Sequence, residues 1–187
     1  MVVIAGVGWY LYASGQSANS PETVYATLNT SKGLIKVELY HSKTPKTVDN
    51  FVTLSRSGFY NDLVWHRIAS GFVIQTGDPN SKGGLNNSTW GQGVGPQYIP
   101  TEIDSSLHNY AGYLGMAYAS DPPGASSQFY INLVDSTSLD GRYAVFGKVI
   151  AGMDVVTAIS NVPVYPSKDQ PIAPYPFLQN VTITNTP

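Results

Sequence analysis

Residues 58–79 read GFYNDLVWHRIASGFVIQTGDP. Two short runs rich in aliphatic and aromatic residues, Leu63–Ile68 and Phe72–Thr76, flank the small residues Ala69, Ser70 and Gly71. Such runs predict two short strands joined by a turn. Arg67 falls on the first strand, among Tyr60, Trp65, Phe72 and Val73. Gln75 lies two residues past Val73, so the two share a strand face. On composition alone this is equally a strand core with a surface arginine.

Upstream, Thr23–Asn29 and Gly33–Tyr40 alternate apolar and polar residues around a Thr-Ser-Lys turn, the pattern of a β-hairpin. Thr44–Gly58 predicts a helix, with Thr44 as N-cap, Pro45 at the first helical position and Gly58 after the end. Its residues Val48, Phe51, Val52 and Ser55 follow the i, i+3, i+4, i+7 spacing. Downstream, strands are predicted at Tyr113–Met116, Gln128–Leu133, Ala144–Val149 and Leu178–Thr184, and a short helix at Met153–Ser160. The Pro-rich stretch 162–177 reads as a surface loop. Many short strands, two helices and no βαβ rhythm predict a mainly β protein, a closed barrel or sandwich.

The chain has 187 residues with 42% hydrophobic and 12% charged, a formal charge of −2 and no cysteine. That length suits one domain with its own core. The charge gives no footprint for nucleic acid. Without cysteine there is no disulfide, zinc ribbon, thiol nucleophile or iron–sulfur cluster. The first charged side chain is Glu22, after the apolar run Met1–Ala13 and the small polar stretch Ser14–Ser20. Thirteen apolar residues fall short of the roughly 20 that span a bilayer. Residues 1–20 are therefore expected to be a signal segment, part of a membrane anchor or a mobile terminus, and 21–187 the folded domain. Low charge and four Asn-x-Ser/Thr triplets, at Asn29, Asn86, Asn87 and Asn180, favour export or outward-facing anchoring over the cytoplasmic alternative.

The other motifs read blandly. His41, His66 and His108 lie at no metal-ligand spacing, and His41 and His108 fall in turn-like sequence, where a solvated ring is expected. Gly91–Gly95 (GQGVG) lacks the helix and Lys of a phosphate loop, so it reads as a structural loop. No nucleophile elbow or triad spacing is present. No metal and no cofactor are expected.

Several segments together carry a resemblance. They are Pro45-Lys46-Thr47-Val48-Asp49-Asn50-Phe51, Gly58-Phe59-Tyr60, His66-Arg67-Ile68, Gly71-Phe72, Gln75, Gly77-Asp78, Ser127-Gln128-Phe129, Leu139-Asp140-Gly141, Val145-Phe146-Gly147-Lys148-Val149 and Gly152-Met153. In order and spacing they resemble the cyclophilins, the peptidyl-prolyl cis/trans isomerases, and more closely the compact prokaryotic-type members. The likeness runs from about Thr23 to Thr184. It implies a closed eight-stranded antiparallel β-barrel capped by two α-helices, with the active site in an external groove. Arg67 then matches the catalytic arginine and Gln75 the glutamine that orients it. Phe72, Val73, Tyr130 and Leu139 match the proline pocket, with Tyr143 in its wall. Ala117, Tyr118 and Gln128 match the adjoining peptide groove.

The departures from the family pattern are Tyr130 for Phe, Tyr143 for His, Ser138 for Trp, Ser70 for Pro and a one-residue insertion within 121–125. Ser138 speaks against tight cyclosporin binding. The resemblance implies a monomeric, cofactor-free folding helper acting on proline-containing peptides and unfolded or folding proteins. Two rivals stay open: a non-catalytic proline-peptide or assembly module that keeps the groove, and an aromatic-rich glycan-binding barrel.

Overall fold

The computed structural model describes residues 23–118 and 124–187. The expectations for residues 1–20, and most of the insertion at 121–125, lie outside that range. The alternating segments pair as the hairpin β1 (Val24–Thr30) and β2 (Gly33–Leu39), in register from Val24↔Leu39 to Thr30↔Gly33. Then come α1 (Pro45–Arg56), β3 (Leu63–Val64), β4 (Arg67–Ala69), β5 (Val73–Thr76), β6 (Tyr113–Met116), β7 (Phe129–Asn132) and β8 (Val145–Ala151). The chain ends through α2 (Met153–Ser160), β9 (Val164–Tyr165), β10 (Gln170–Pro171) and β11 (Phe177–Thr184). The stretch expected to be a plain loop thus contains a small antiparallel ladder, Gln170↔Tyr165 and Pro171↔Val164. Its proline-rich sequence hides the strand signal.

Nine strands form one antiparallel sheet in the order β3-β11-β1-β2-β8-β6-β7-β5-β4. The ladder is open where a closed eight-stranded barrel was expected. The reason lies in the chain: β3 and β4, the two edges, are consecutive parts of Leu63–Ala69, separated by Trp65 and His66. This seam is crossed by the chain itself. It is stitched by the Thr76 hydroxyl donating to the Val64 carbonyl at 2.9 Å and by Trp65 N–H donating to the Pro176 carbonyl at 2.9 Å.

Inward residues alternate with outward ones along each strand. The inward set, including Leu28, Ile35, Ile68, Ile74, Leu114, Phe129 and Phe146, is fully or almost fully buried. Both helices contribute to the same core, α1 through Val48, Phe51 and Leu54 and α2 through Val156 and Ile159. The Phe51 ring meets Phe129 edge-on at 5.3 Å and Phe146 at 5.5 Å, geometry favourable for aromatic pairs.

Thr44 does stand at the N-cap of α1, but its side chain does not cap the helix. The Glu102 carboxylate does so instead, accepting from Lys46 N–H at 3.1 Å, Thr47 N–H at 2.7 Å and the Thr47 hydroxyl at 2.8 Å. A carboxylate there satisfies orphan amides and opposes the helix dipole. Replacing Glu102 by Ala should cost about 1–2 kcal/mol, read as a lower urea midpoint. An unchanged midpoint would show that α1 needs no cap from the loop.

Candidate active site

The register decides which side chains meet. Arg67 pairs with Gln75 across β4 and β5, Gln75 with Tyr130 across β5 and β7, and Tyr130 with Gly115 across β7 and β6. These four form one row on the outer face, because their sequence neighbours Ile68, Ile74 and Ile131 point into the core. One pleat step away, Ala69 pairs with Val73. Outside the barrel, Ala69, Val73 and Tyr130 form a second buried apolar cluster, with Phe72, Ala117, Leu139 and Tyr143 packed around it. Six of the ten residues singled out from sequence therefore share one external patch.

Glycine makes room for it. A Cβ at Gly115 would overlap the Tyr130 ring, so only glycine lets that ring lie across β6. The Tyr143 ring stands edge-on to Tyr130 at 6.0 Å and tilted against Tyr118 at 4.8 Å. Tyr118 is fixed in turn by its hydroxyl donating to the Arg142 carbonyl at 2.9 Å.

The Tyr130 hydroxyl is buried and donates to Asn109 Oδ1 at 2.8 Å. Asp140 holds Asn109, accepting from its N–H at 2.8 Å and from its amide nitrogen at 3.0 Å, and it pairs with His108 Nδ1 at 2.8 Å. Desolvation opposes the charge on Asp140, yet the hydrogen bonds from Asn109 and His108 outweigh it and hold the carboxyl below its usual range. His108 is thus bound to a carboxylate, as is His41, whose Nε2 lies 3.0 Å from Asp49. Both were expected to be simply solvated. Burial drives the Tyr130 phenol upward, so it remains a neutral donor. Tyr130→Phe should cost about 1 kcal/mol of stability in urea denaturation, because it leaves a buried Asn109 acceptor short of a partner.

Beside the apolar patch lies a polar strip. The Arg67 guanidinium is half exposed, with Nη1 donating to Gln75 Oε1 at 3.5 Å and the ring centre of Phe72 5.8 Å from its carbon. Gln75 donates to Gln128 Oε1 at 2.9 Å, and Gln128 Nε2 donates to the carbonyls of Gly93 at 2.7 Å and Gly91 at 3.1 Å. The Gly91–Gly95 loop therefore forms a wall of the site, held further by Gly91 N–H donating to Asp78. A groove of about 510 Å³ runs between this loop and Ala117, Tyr118 and Gln128. Sequence reasoning placed the loop correctly as structural but missed that it lines the groove. Its only signal was the close glycine spacing, which lets backbone approach backbone. Among the described residues no group of three or more His, Asp or Glu is arranged to hold a metal, and no helix is long and apolar enough to cross a membrane.

His66, next to Arg67, is buried, and neither ring nitrogen has a hydrogen-bond partner. Burial lowers its pKa from 6.5 to about 4, with Asp78 opposing the shift. Between those values the unfolded chain takes a proton that the folded one refuses, so this share of stability is complete above pH 6.5 and is lost as pH falls toward 4. The loss should reach about 3 kcal/mol. Urea midpoints at pH 7 and pH 4.5 should therefore differ more in the native protein than in His66→Gln. Equal differences would show that His66 is not the titrating group.

A family model described as cyclophilin type peptidyl-prolyl cis-trans isomerase/CLD matches residues 25–186. The chain belongs to the cyclophilin family. A peptidyl-prolyl cis-trans isomerase of Arabidopsis thaliana is 37% identical to this cyclophilin over 171 residues, covering 91% of this chain and 99% of the plant protein. The peptidyl-prolyl cis-trans isomerase-like 2 protein of Rhizopus delemar is 40% identical over 148 residues, or 79% of this chain. This cyclophilin spans about a quarter (26%) of that fungal protein's length. A crystal structure of a cyclophilin type peptidyl-prolyl cis-trans isomerase of Cryptosporidium parvum has a TM-score of 0.78 at 30% identity, covering 88% of this chain and 99% of that one. A second structure of the same protein, in the presence of the dipeptide Ala-Pro, has a TM-score of 0.76 at 33% identity, covering 86% and 98%.

Proposed function

We propose that this cyclophilin accelerates rotation about X–Pro bonds in peptides and folding proteins, with Arg67 as the catalytic residue. The observation that carries this is the outward row Arg67–Gln75–Tyr130 beside an apolar cluster on the same outer face. The Ala-Pro dipeptide used with the Cryptosporidium relative supports the same substrate class.

The chemistry needs no broken bond. Amide resonance holds the X–Pro bond, which isomerises unaided in tens to hundreds of seconds. Rate rises only if the twisted amide binds better than either planar isomer. In the twisted state the prolyl nitrogen gains a lone pair that the planar amide lacks. A guanidinium, permanently charged and rich in donors, supplies a hydrogen bond that forms only then. Gln75 steadies Arg67 from the next strand. Phe72, Val73, Tyr130, Leu139 and Tyr143 grip the ring, while Ala117, Tyr118 and Gln128 hold the peptide leading to it. Raising the rate from about 0.01 to about 10 per second asks for about 4 kcal/mol. One charge-assisted bond made in the transition state, with orientation, is of that size.

Ser138 is exposed and carries no ring, which supports weak cyclosporin binding. The apolar run Met1–Ala13 and the lack of charge over residues 1–20 support export or membrane anchoring. N-terminal sequencing and membrane fractionation of the native protein test that address; an intact N-terminus in the soluble fraction would refute it.

A protease-coupled assay on a cis-prolyl peptide tests the main reading. Arg67→Ala should lower kcat/KM by about 100- to 1000-fold while circular dichroism stays native. Full activity in that variant would remove Arg67 from the chemistry. Peptide binding by the native protein without any acceleration would select the non-catalytic module.

A further inference from the structure

The β9–β10 hairpin lies beside the site, the reaction scheme leaves it unused, and its turn reaches the arginine. Asp169 Oδ2 lies 3.5 Å from Arg67 Nη2, opposite the 3.5 Å contact of Nη1 with Gln75. We propose that Asp169 is a positioning residue for catalysis, holding one arm of the guanidinium while Gln75 holds the other. The inference rests on the reading of Arg67 given above.

The backbone that carries this carboxylate is itself held in place. Asp169 adopts φ 52°, the left-handed region that a non-glycine residue rarely occupies. Ile68 N–H, the residue after Arg67, donates to the Asp169 carbonyl at 2.6 Å. The neighbouring Gln170 donates from its side chain to the Asn87 carbonyl at 2.6 Å and pairs with Tyr165. The strand that bears Arg67 therefore also fixes the main chain of the acid that faces it. With both Nη groups engaged, rotation of the guanidinium about its long side chain is restricted, and its remaining N–H donors keep a set direction.

Two effects of the acid oppose each other. Its charge weakens the field Arg67 presents to the developing lone pair, while its hydrogen bond fixes the direction of that field. The pair is roughly 40% exposed on both sides, so water screens the charge. Water weakens the orienting bond too, but a small bias in direction is enough to matter, because a displacement of about 1 Å in a reacting group can cost about 100-fold in rate. Positioning therefore wins, and removing the acid slows the reaction. The same exposure means the pair contributes little to stability.

The test combines kinetics with side-chain NMR. Asp169→Ala should lower kcat by about tenfold with KM nearly unchanged, and lower the melting temperature only slightly, through alanine in the left-handed region. Asp169→Asn, which keeps an acceptor, should recover part of the loss. In the ligand-free protein the Arg67 guanidinium nitrogens should exchange faster in Asp169→Ala than in the native protein. A kcat within twofold of native overturns the proposal, as does unchanged Arg67 exchange or a kcat loss in Asp169→Ala that Asp169→Asn shows in full. The NMR arm needs no activity, so a native protein without isomerase activity would refute the functional reading separately.

Discussion

The strand register is the constraint on which the molecule depends. A strand sends successive side chains to opposite faces, so one choice of pairing fixes both the core and the site. With Arg67 opposite Gln75 and Gln75 opposite Tyr130, Ile68, Ile74 and Ile131 fall inside. A slip of one residue would bury the arginine and expose the isoleucines. Stabilising the core therefore also positions the groove. Residues that contribute nothing to the chemistry keep Arg67 pointing out.

The site joins two materials. One side is a small apolar cluster outside the barrel, whose only buried hydroxyl, on Tyr130, is tied to Asn109 and through it to Asp140. The other is a chain of amides, Gln75 to Gln128 to the glycine loop, with Arg67 at its end. The proposed function sets a proline ring against the first and a peptide backbone against the second. Near-neutral net charge fits this division, since neither material selects a strongly charged partner. The exchange of Phe for Tyr at 130 keeps the ring and adds an anchor beneath it.

What could be read from the sequence was what repeats locally. Period-two alternation placed β1 and β2, the helical spacing of Val48, Phe51 and Val52 placed α1, and the resemblance to the cyclophilins pointed to Arg67, Gln75 and every residue of the apolar cluster except Ala69. What stayed hidden were polar contacts between distant loops, which leave no local period. Glu102 caps a helix 55 residues away, and Asp169 meets an arginine 102 residues away. Thr44 looked like a cap because it has the right side chain at the right place, but a charged acceptor from another segment occupies its role. The glycine loop failed as a phosphate site for sound reasons, yet only its contact with Gln128 shows its use. The ladder of β9 and β10 escaped notice because prolines interrupt it on both sides.

The seam between β3 and β4 has a consequence for how the protein emerges during synthesis. β1 and β3 each take their outer partner from β11, the last strand of the chain. The sheet therefore cannot be completed until residues 177–184 have left the ribosome. The pairings β4–β5, β5–β7, β6–β7 and β6–β8, which carry the groove, need nothing beyond Ala151. On a nascent chain, the half of the molecule that bears the groove has all its strand partners before the other half can form its final ladder.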